Sequence, residues 1–236
     1  MGAPSFAQPA CYVPVMTQDS ADALDLEAAL GALPLFPLPQ VVLFPGAVLP
    51  LHVFEPRYKA MIRDCLATHR ALAVVQITGP DDLDEHGHPA IAKVAGAGII
   101  VDHAELPEGR FNILVRGRAR VRLEEVPFVP PYRVAKATAL HTDDSNVPER
   151  DVAALLANAS GFAALVRERD RDFEFRLPRG APPGFIADVC AHHLIIDAGE
   201  RQAILETLDL GERILRVTEA LALQRLALGK GDHDLN

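Results

Sequence analysis

From Leu33 to Tyr58 the chain reads LPLFPLPQVVLFPGAVLPLHVFEPRY, apolar almost throughout yet carrying prolines at 34, 37, 39, 45, 50 and 56. Proline has no amide hydrogen, so a strand tolerates it only where no neighbour needs that donor: at edges, first positions and bulges. The stretch is therefore expected to form short strand pieces, interrupted at Pro39 and turned at Pro45-Gly46, along the rim of a barrel and not as a central strand. Polarity does not separate the two faces of Val48 to Val53, which predicts cover on both sides. After Phe54 the period changes. Tyr58, Met61, Ile62, Cys65 and Leu66 fall at i, i+3, i+4, i+7 and i+8 behind Pro56, the pattern of a helix packed on the barrel.

Ala71 to Ile77 is a short apolar run suited to a buried strand, and Thr78 to Pro89 reads as a polar loop. Gly96 and Gly98 interrupt the strand-like run from Val94 to Val101, a sign of a bulge or of close backbone approach. In LPEGRFNILVRGRARVRLEEV, Pro107-Glu108-Gly109 marks a turn followed by two runs meeting around Gly117, and Tyr132 to Leu140 is a further strand. About six strands and one helix between residues 33 and 140 suit a small, largely antiparallel barrel. At SNVPERD the character changes: Asn146 and Glu149 have capping-box spacing, with Pro148 in the first turn. Val152, Leu155, Leu156, Ala159, Phe162, Ala163 and Val166 then form one helical stripe. A second helix is expected from about Phe185 to Asp197, a short one after Gly199, and a last one opened by Asp209 and Glu212. The expected layout is an extension over 1–30, poorly ordered, a barrel lobe over 31–142, an all-helical lobe over 146–230 and a tail over 231–236.

Composition refines this picture. The 236 residues are 49% hydrophobic and 23% charged, ordinary globular usage with room for two lobes. There is no Trp and aromatics are only 6%, so aliphatic side chains must fill the core and no broad platform exists for stacking bases. The net charge of −9 is uneven: −4 over residues 1–30, +1 over 31–142 and −6 over 143–236. Long-range attraction to polyanions is thereby excluded, though not a local basic patch. Cys11, Cys65 and Cys190 are too few and too scattered for a disulfide framework or a structural zinc site. With neither a secretory leader nor a long apolar run, the expectation is a cytoplasmic protein with no membrane partner; Met1 and Met16 are alternative starts.

The opening stretch and its following helix, together with ELPEGRFNILVRGRARVRL and PPYRVAKATAL, resemble the N-terminal substrate-recognition domain of the Lon family of ATP-dependent proteases, and most of all bacterial proteins made of that domain alone. PPGFIADVCAHHLIIDAGERQAILETLDLGERI resembles the helical part that follows, so the likeness runs from about Leu33 to Gly229. Pro39 and Gln40 depart from it, standing where a polar, often basic, pair is usual. The resemblance implies an α+β protein: a PUA-like antiparallel pseudo-barrel with one packed helix, then an all-α bundle. It also implies a module that binds polypeptide segments or a protein partner. The residues themselves supply no motor or nucleophile. No Gly-x-x-x-x-Gly-Lys-Ser/Thr loop occurs, Gly229-Lys230 being followed by glycine, and no serine lies in a nucleophile-elbow setting. No enzyme activity and no cofactor are expected.

Three groups of residues are candidates for chemistry. Phe44, Leu49, Leu51 and Phe54, together with Val48 and Val53, could capture exposed apolar segments, with Arg57 and Tyr58 at the rim of a groove between barrel and helices; core packing is the competing reading. Arg116, Arg118, Arg120 and Arg122 recur at period two and share one face if the strand continues through Gly117. Such a row would contact phosphates, which keeps an RNA-binding reading open, or it is a solvated face balanced by nearby glutamates. His86 and His88 lie among Asp81, Asp82, Asp84 and Glu85, a set read as an acidic loop and not a metal site. Asp188 and His192 have the i, i+4 spacing of a surface pair.

Overall fold

The computed structural model describes residues 26–143 and 147–231. The alternative start at Met16, Cys11, the Asn146 half of the capping box and most of the tail lie outside the described residues. Residues 26–30 depart from the expected extension: Leu26 and Ala29 are buried against the barrel and belong to its core.

After a helical turn over residues 26–32, seven strands and one longer helix make the first lobe among the described residues. They are β1 (Leu33–Leu38), β2 (Val48–Val53), α1 (Pro56–Ala67), β3 (Ala71–Leu83), β4 (Pro89–Ile91), β5 (Val94–Leu106), β6 (Arg110–Glu125) and β7 (Val134–Leu140). Pairing runs β1-β7-β6-β5-β3, and a parallel β1–β3 ladder closes the ring. Contrary to the rim expectation, β1 therefore has a neighbour on each side, but each neighbour pairs with only part of it. β7 pairs with Leu33 and Pro34, and β3 with Leu35 to Leu38. The Leu35 N–H donates to the Arg133 carbonyl on the β7 side at 2.9 Å, so by alternation Pro37 faces β7 beyond the end of that pairing. Pro34 faces β3 before that pairing begins. Each proline sits where a donor has no acceptor waiting.

The sixteen-residue β6 is the longest strand, lined by β5 on one edge and shared on the other by β2, opposite residues 111–116, and β7, opposite residues 120–125. Among the described residues β2 pairs with β6 alone, and Pro50 and His52 are exposed, so it is an edge strand and not covered on both sides. Ala47 accepts from Gly117 N–H at 2.9 Å and so faces β6, which puts the Pro50 nitrogen on the outer edge, where it blocks further pairing. The expected loop after Ile77 is instead the extension of β3 to Leu83, paired through bulges with β4.

The helical lobe consists of α2 (Glu149–Arg169), α3 (Pro183–Leu194), α4 (Ala198–Glu206) and α5 (Leu210–Gly231). The expected stripe is its core, with Leu155, Ala159, Phe162 and Ala163 buried on α2 and Ile214, Val217 and Leu221 on α5. Asp197 and Asp209 accept from the N–H groups of Glu200 and Glu212, each at 2.7 Å, and so cap the starts of α4 and α5. α2 begins directly after Pro148 without a side-chain cap, and α3 ends at Leu194, earlier than expected, where Ile195 turns extended.

Three apolar clusters follow from this layout: the barrel interior, the space under α1, and the junction of barrel and helices. The junction is made by the segment 41–47, which crosses β5 and β6 at their glycines. A Cβ on Gly96 would lie 1.8 Å from the Leu43 carbonyl oxygen, and one on Gly117 would lie 2.0 Å from that of Phe44. Gly96, one of the two glycines predicted to permit a bulge or close approach, does so here, and a Cβ on the other, Gly98, would lie 2.6 Å from the Arg116 carbonyl oxygen.

Candidate functional site

Alternation along β2 turns Leu49, Leu51 and Val53 toward the cluster under α1 and Pro50 and His52 outward. The strand ends at Phe54, whose side chain is 61% exposed and stacks on the His52 ring at 6.0 Å. His52 is held in turn by Asn112, Nδ1 to Oδ1 2.7 Å. Arg57 pairs with Glu55 at 3.0 Å and lies 4.6 Å over the Tyr58 ring. Of the six residues predicted to touch a polypeptide, Leu49, Leu51, Phe54 and Arg57 reach the surface, while Phe44 and Tyr58 are core. Tyr58 packs against Phe36 with the ring centroids 4.5 Å apart and the planes tilted by 40°, and burial raises its phenol pKa.

Among the described residues the junction of barrel and helices, the expected place of a groove, is a packed apolar cluster. Arg57 and Tyr58 line instead a cleft of about 150 Å³ within the barrel lobe, with Pro37, Ile77, His88 and Arg133. At the junction Phe44 is fully buried among α2, α3 and α5 residues. Beside it Arg120 is 3% exposed. Its Nη1 donates to Asp188 Oδ2 at 2.8 Å, its Nη2 to Oδ1, and its Nε to the Leu205 carbonyl at 2.9 Å. Arg213, also buried, approaches the same carboxylate at 3.4 Å. Asp188 is thus a buried counter-charge for two arginines and not a surface partner of His192. His192 faces the Val42 carbonyl at 3.3 Å, and burial pushes its imidazole pKa down to about 3, with His193 and Arg201 acting in the same direction.

The arginine row does not share one face. The β5–β6 register skips Arg118, since Gly98 pairs with Gly117 and Ala97 with Ala119. This bulge flips the strand: Phe111, Ile113 and Val115 point under α1, whereas Ala119, Val121 and Leu123 point into the barrel. Arg116 consequently projects from the face opposite to Arg120 and Arg122. Only Arg122 of the four is exposed. A continuous four-guanidinium footprint is not present.

No group of His, Cys, Asp or Glu among the described residues is arranged to hold a metal ion. His88 is buried against Phe128, ring centroids 4.4 Å apart, and Asp84 accepts from the N–H groups of His88 and His86. Those bonds, that of His88 foremost, hold the Asp84 carboxyl below its usual range. Burial pushes the Cys65 and Cys190 thiols up to about 12, which leaves them protonated and unreactive. No helix of the described residues is long and apolar enough to cross a membrane.

The described residues thus form a closed small barrel leaned on by a helical lobe. Comparison with known proteins gives it a family. Residues 32–222 match the profile of the ATP-dependent protease La (LON) substrate-binding domain, and the chain belongs to that family. It is 29% identical to Lon protease of Roseiflexus castenholzii over 92% of this chain and 26% of that protein. Lon protease 2 of Myxococcus xanthus is 31% identical over 82% of this chain and 24% of its own length. The chain thus spans about a quarter of these relatives. Among solved structures, a Lon N-terminal domain protein from Xanthomonas campestris superposes with a TM-score of 0.57 at 25% identity, covering 79% of this chain and 96% of that one. The N-terminal domain of a Mycobacterium avium complex Lon protease, at 16% identity and a TM-score of 0.58 over 81% and 98%, shares the fold.

Sequence reasoning missed the partnership of Arg120 with Asp188, 68 residues away. The signal available was the lone acid in the helix PGFIADVCAHHL, set among apolar residues on both sides, a charge that burial would require to be paired.

Proposed function

We propose that this chain is a non-enzymatic polypeptide-recognition module, which captures unfolded or extended segments and presents them to a protein partner. Membership of a substrate-binding family is the observation that carries this reading. The rim formed by Leu49, Leu51, Phe54 and Arg57 is the capturing surface. An exposed aromatic at the end of an edge strand offers apolar contact area, and the proline at its centre keeps bound segments from extending the sheet without limit. Phe44 and Tyr58 support that rim from beneath. Arg120 acts in structure, holding the lobes together, and not in anion binding.

The test is titration of purified protein into a fluorescently labelled, permanently unfolded polypeptide. Saturable binding that Phe54→Ser weakens, with the fold intact, is expected. An isotherm that shows no saturation at any attainable concentration would refute the reading.

A further inference from the structure

The helical lobe carries a groove of about 640 Å³, none of whose lining residues belongs to the β2 rim. One wall is the start of α4, with Asp197 and Glu200. The other is three turns of α5, from Glu212 to Gln224. Its apolar lining includes Leu215 and Leu223, which are 50% and 67% exposed although both lie on a helix whose opposite face is core. Large apolar side chains left exposed along one groove mark a surface that a partner covers.

Charge identifies the kind of partner. The groove holds four carboxylates, Asp197, Glu200, Glu212 and Glu219, and one cation, Arg216, for a net of −3. Arg216 spans the groove to Glu200, Nε to Oε1 2.6 Å, and its pKa is raised by that bond and by the fields of Glu200, Glu212 and Glu206. Glu212 and Glu219 stand exposed at the rim. A second copy of this chain, net −9, is poorly matched to such a surface. So is the chain's own segment 1–25, which has three aspartates and no Lys or Arg.

From this complementarity we infer that the α4–α5 groove docks a basic amphipathic helix of a partner protein. Leu215 and Leu223 are eight residues apart, about 12 Å along the axis, so the occupant presents apolar anchors at i, i+4 and i+7 flanked on both sides by Lys or Arg. The surface is independent of the β2 rim and provides a means of attaching the recognition module to a second protein.

The probe is a labelled helical peptide of about four turns with leucines at those positions and flanking lysines, and a twin with glutamate for lysine. Anisotropy titrations are run on the full chain and on Leu223→Ser, Leu215→Ser and Glu219→Lys. These positions are exposed, so the urea midpoint of each variant should stay that of the parent. The expected result is saturable binding of the lysine peptide that weakens with salt, falls about tenfold in each variant, and is absent for the glutamate twin. Equal binding of the two peptides, or unchanged binding by the variants, overturns the inference. So does a reversible dimer that Leu223→Ser dissolves, since a second copy is then the occupant. Displacement of the lysine peptide by a synthetic segment 1–25 likewise overturns it. Phe54→Ser should leave lysine-peptide binding unchanged, which separates failure at this groove from failure at the rim.

Discussion

Asp188 of α3 and Arg120 of β6 form a two-pronged ion pair sealed from water at the junction of the two lobes, and Arg213 of α5 draws on the same carboxylate. Removing the acid leaves two buried cations without that counter-charge, a loss worth about 3–5 kcal/mol. Asp188→Ala is therefore expected to lower the unfolding free energy by that order in urea titrations. Arg120→Met, which leaves Asp188 its second arginine, should cost clearly less. Equal effects would show that Arg213 does not share the carboxylate.

The crossing of segment 41–47 over β5 and β6 requires backbone without side chains. Gly117→Ala drives a methyl group against the Phe44 carbonyl, backbone that cannot swing aside. A loss of about 1–3 kcal/mol or more is expected, as for overpacked cores. Gly31→Ala, with nothing within 4 Å, serves as the control and should be near neutral in the same denaturation series.

Acid should weaken the molecule partly through His192. Its folded pKa of about 3 lies below the ordinary 6.5, so between these values the unfolded chain holds a proton that the folded chain does not. Its contribution to stability is complete above about pH 6.5 and declines as pH falls toward 3, by at most about 1.4 kcal/mol per pH unit. His193, also lowered by burial, adds in the same sense. Urea unfolding followed across that window should give a flatter pH profile for His192→Phe than for the parent. Parallel profiles would assign the acid sensitivity to other groups.

Pro50 faces the outer edge of β2, where a residue with an N–H would offer a free donor to another strand. Pro50→Val should leave the monomer folded while raising concentration-dependent association, read by light scattering. Unchanged scattering would mean that something other than proline guards this edge.

Legibility in the sequence followed from the range of the physical cause. Helical stripes such as Leu155, Ala159 and Phe162 repeat within a few residues and were readable, as was the close approach at Gly96. The count of short strands suggested a small antiparallel barrel, and the resemblance to a known family supplied its combination with a helical bundle. What escaped depended on distant partners or on one-residue offsets. The bulge at Arg118 leaves no mark in a period-two pattern, yet it sends Arg116 and Arg120 to opposite faces. The prolines of β1 argued for a rim, but two half-length neighbours let the strand close the ring. At the rim itself, Leu49 and Phe54 read alike as apolar residues, and only the fold separates the supported side chain from the exposed one.

The central claim, polypeptide capture by the β2 rim, is tested most directly by the affinity of the parent and of Phe54→Ser for one permanently unfolded, labelled polypeptide, with urea midpoints measured alongside. Phe54 is mostly solvent-exposed, so the unfolding free energies should agree within about 0.5 kcal/mol and the midpoints coincide, while affinity falls about tenfold. Equal affinities with equal midpoints would contradict the account.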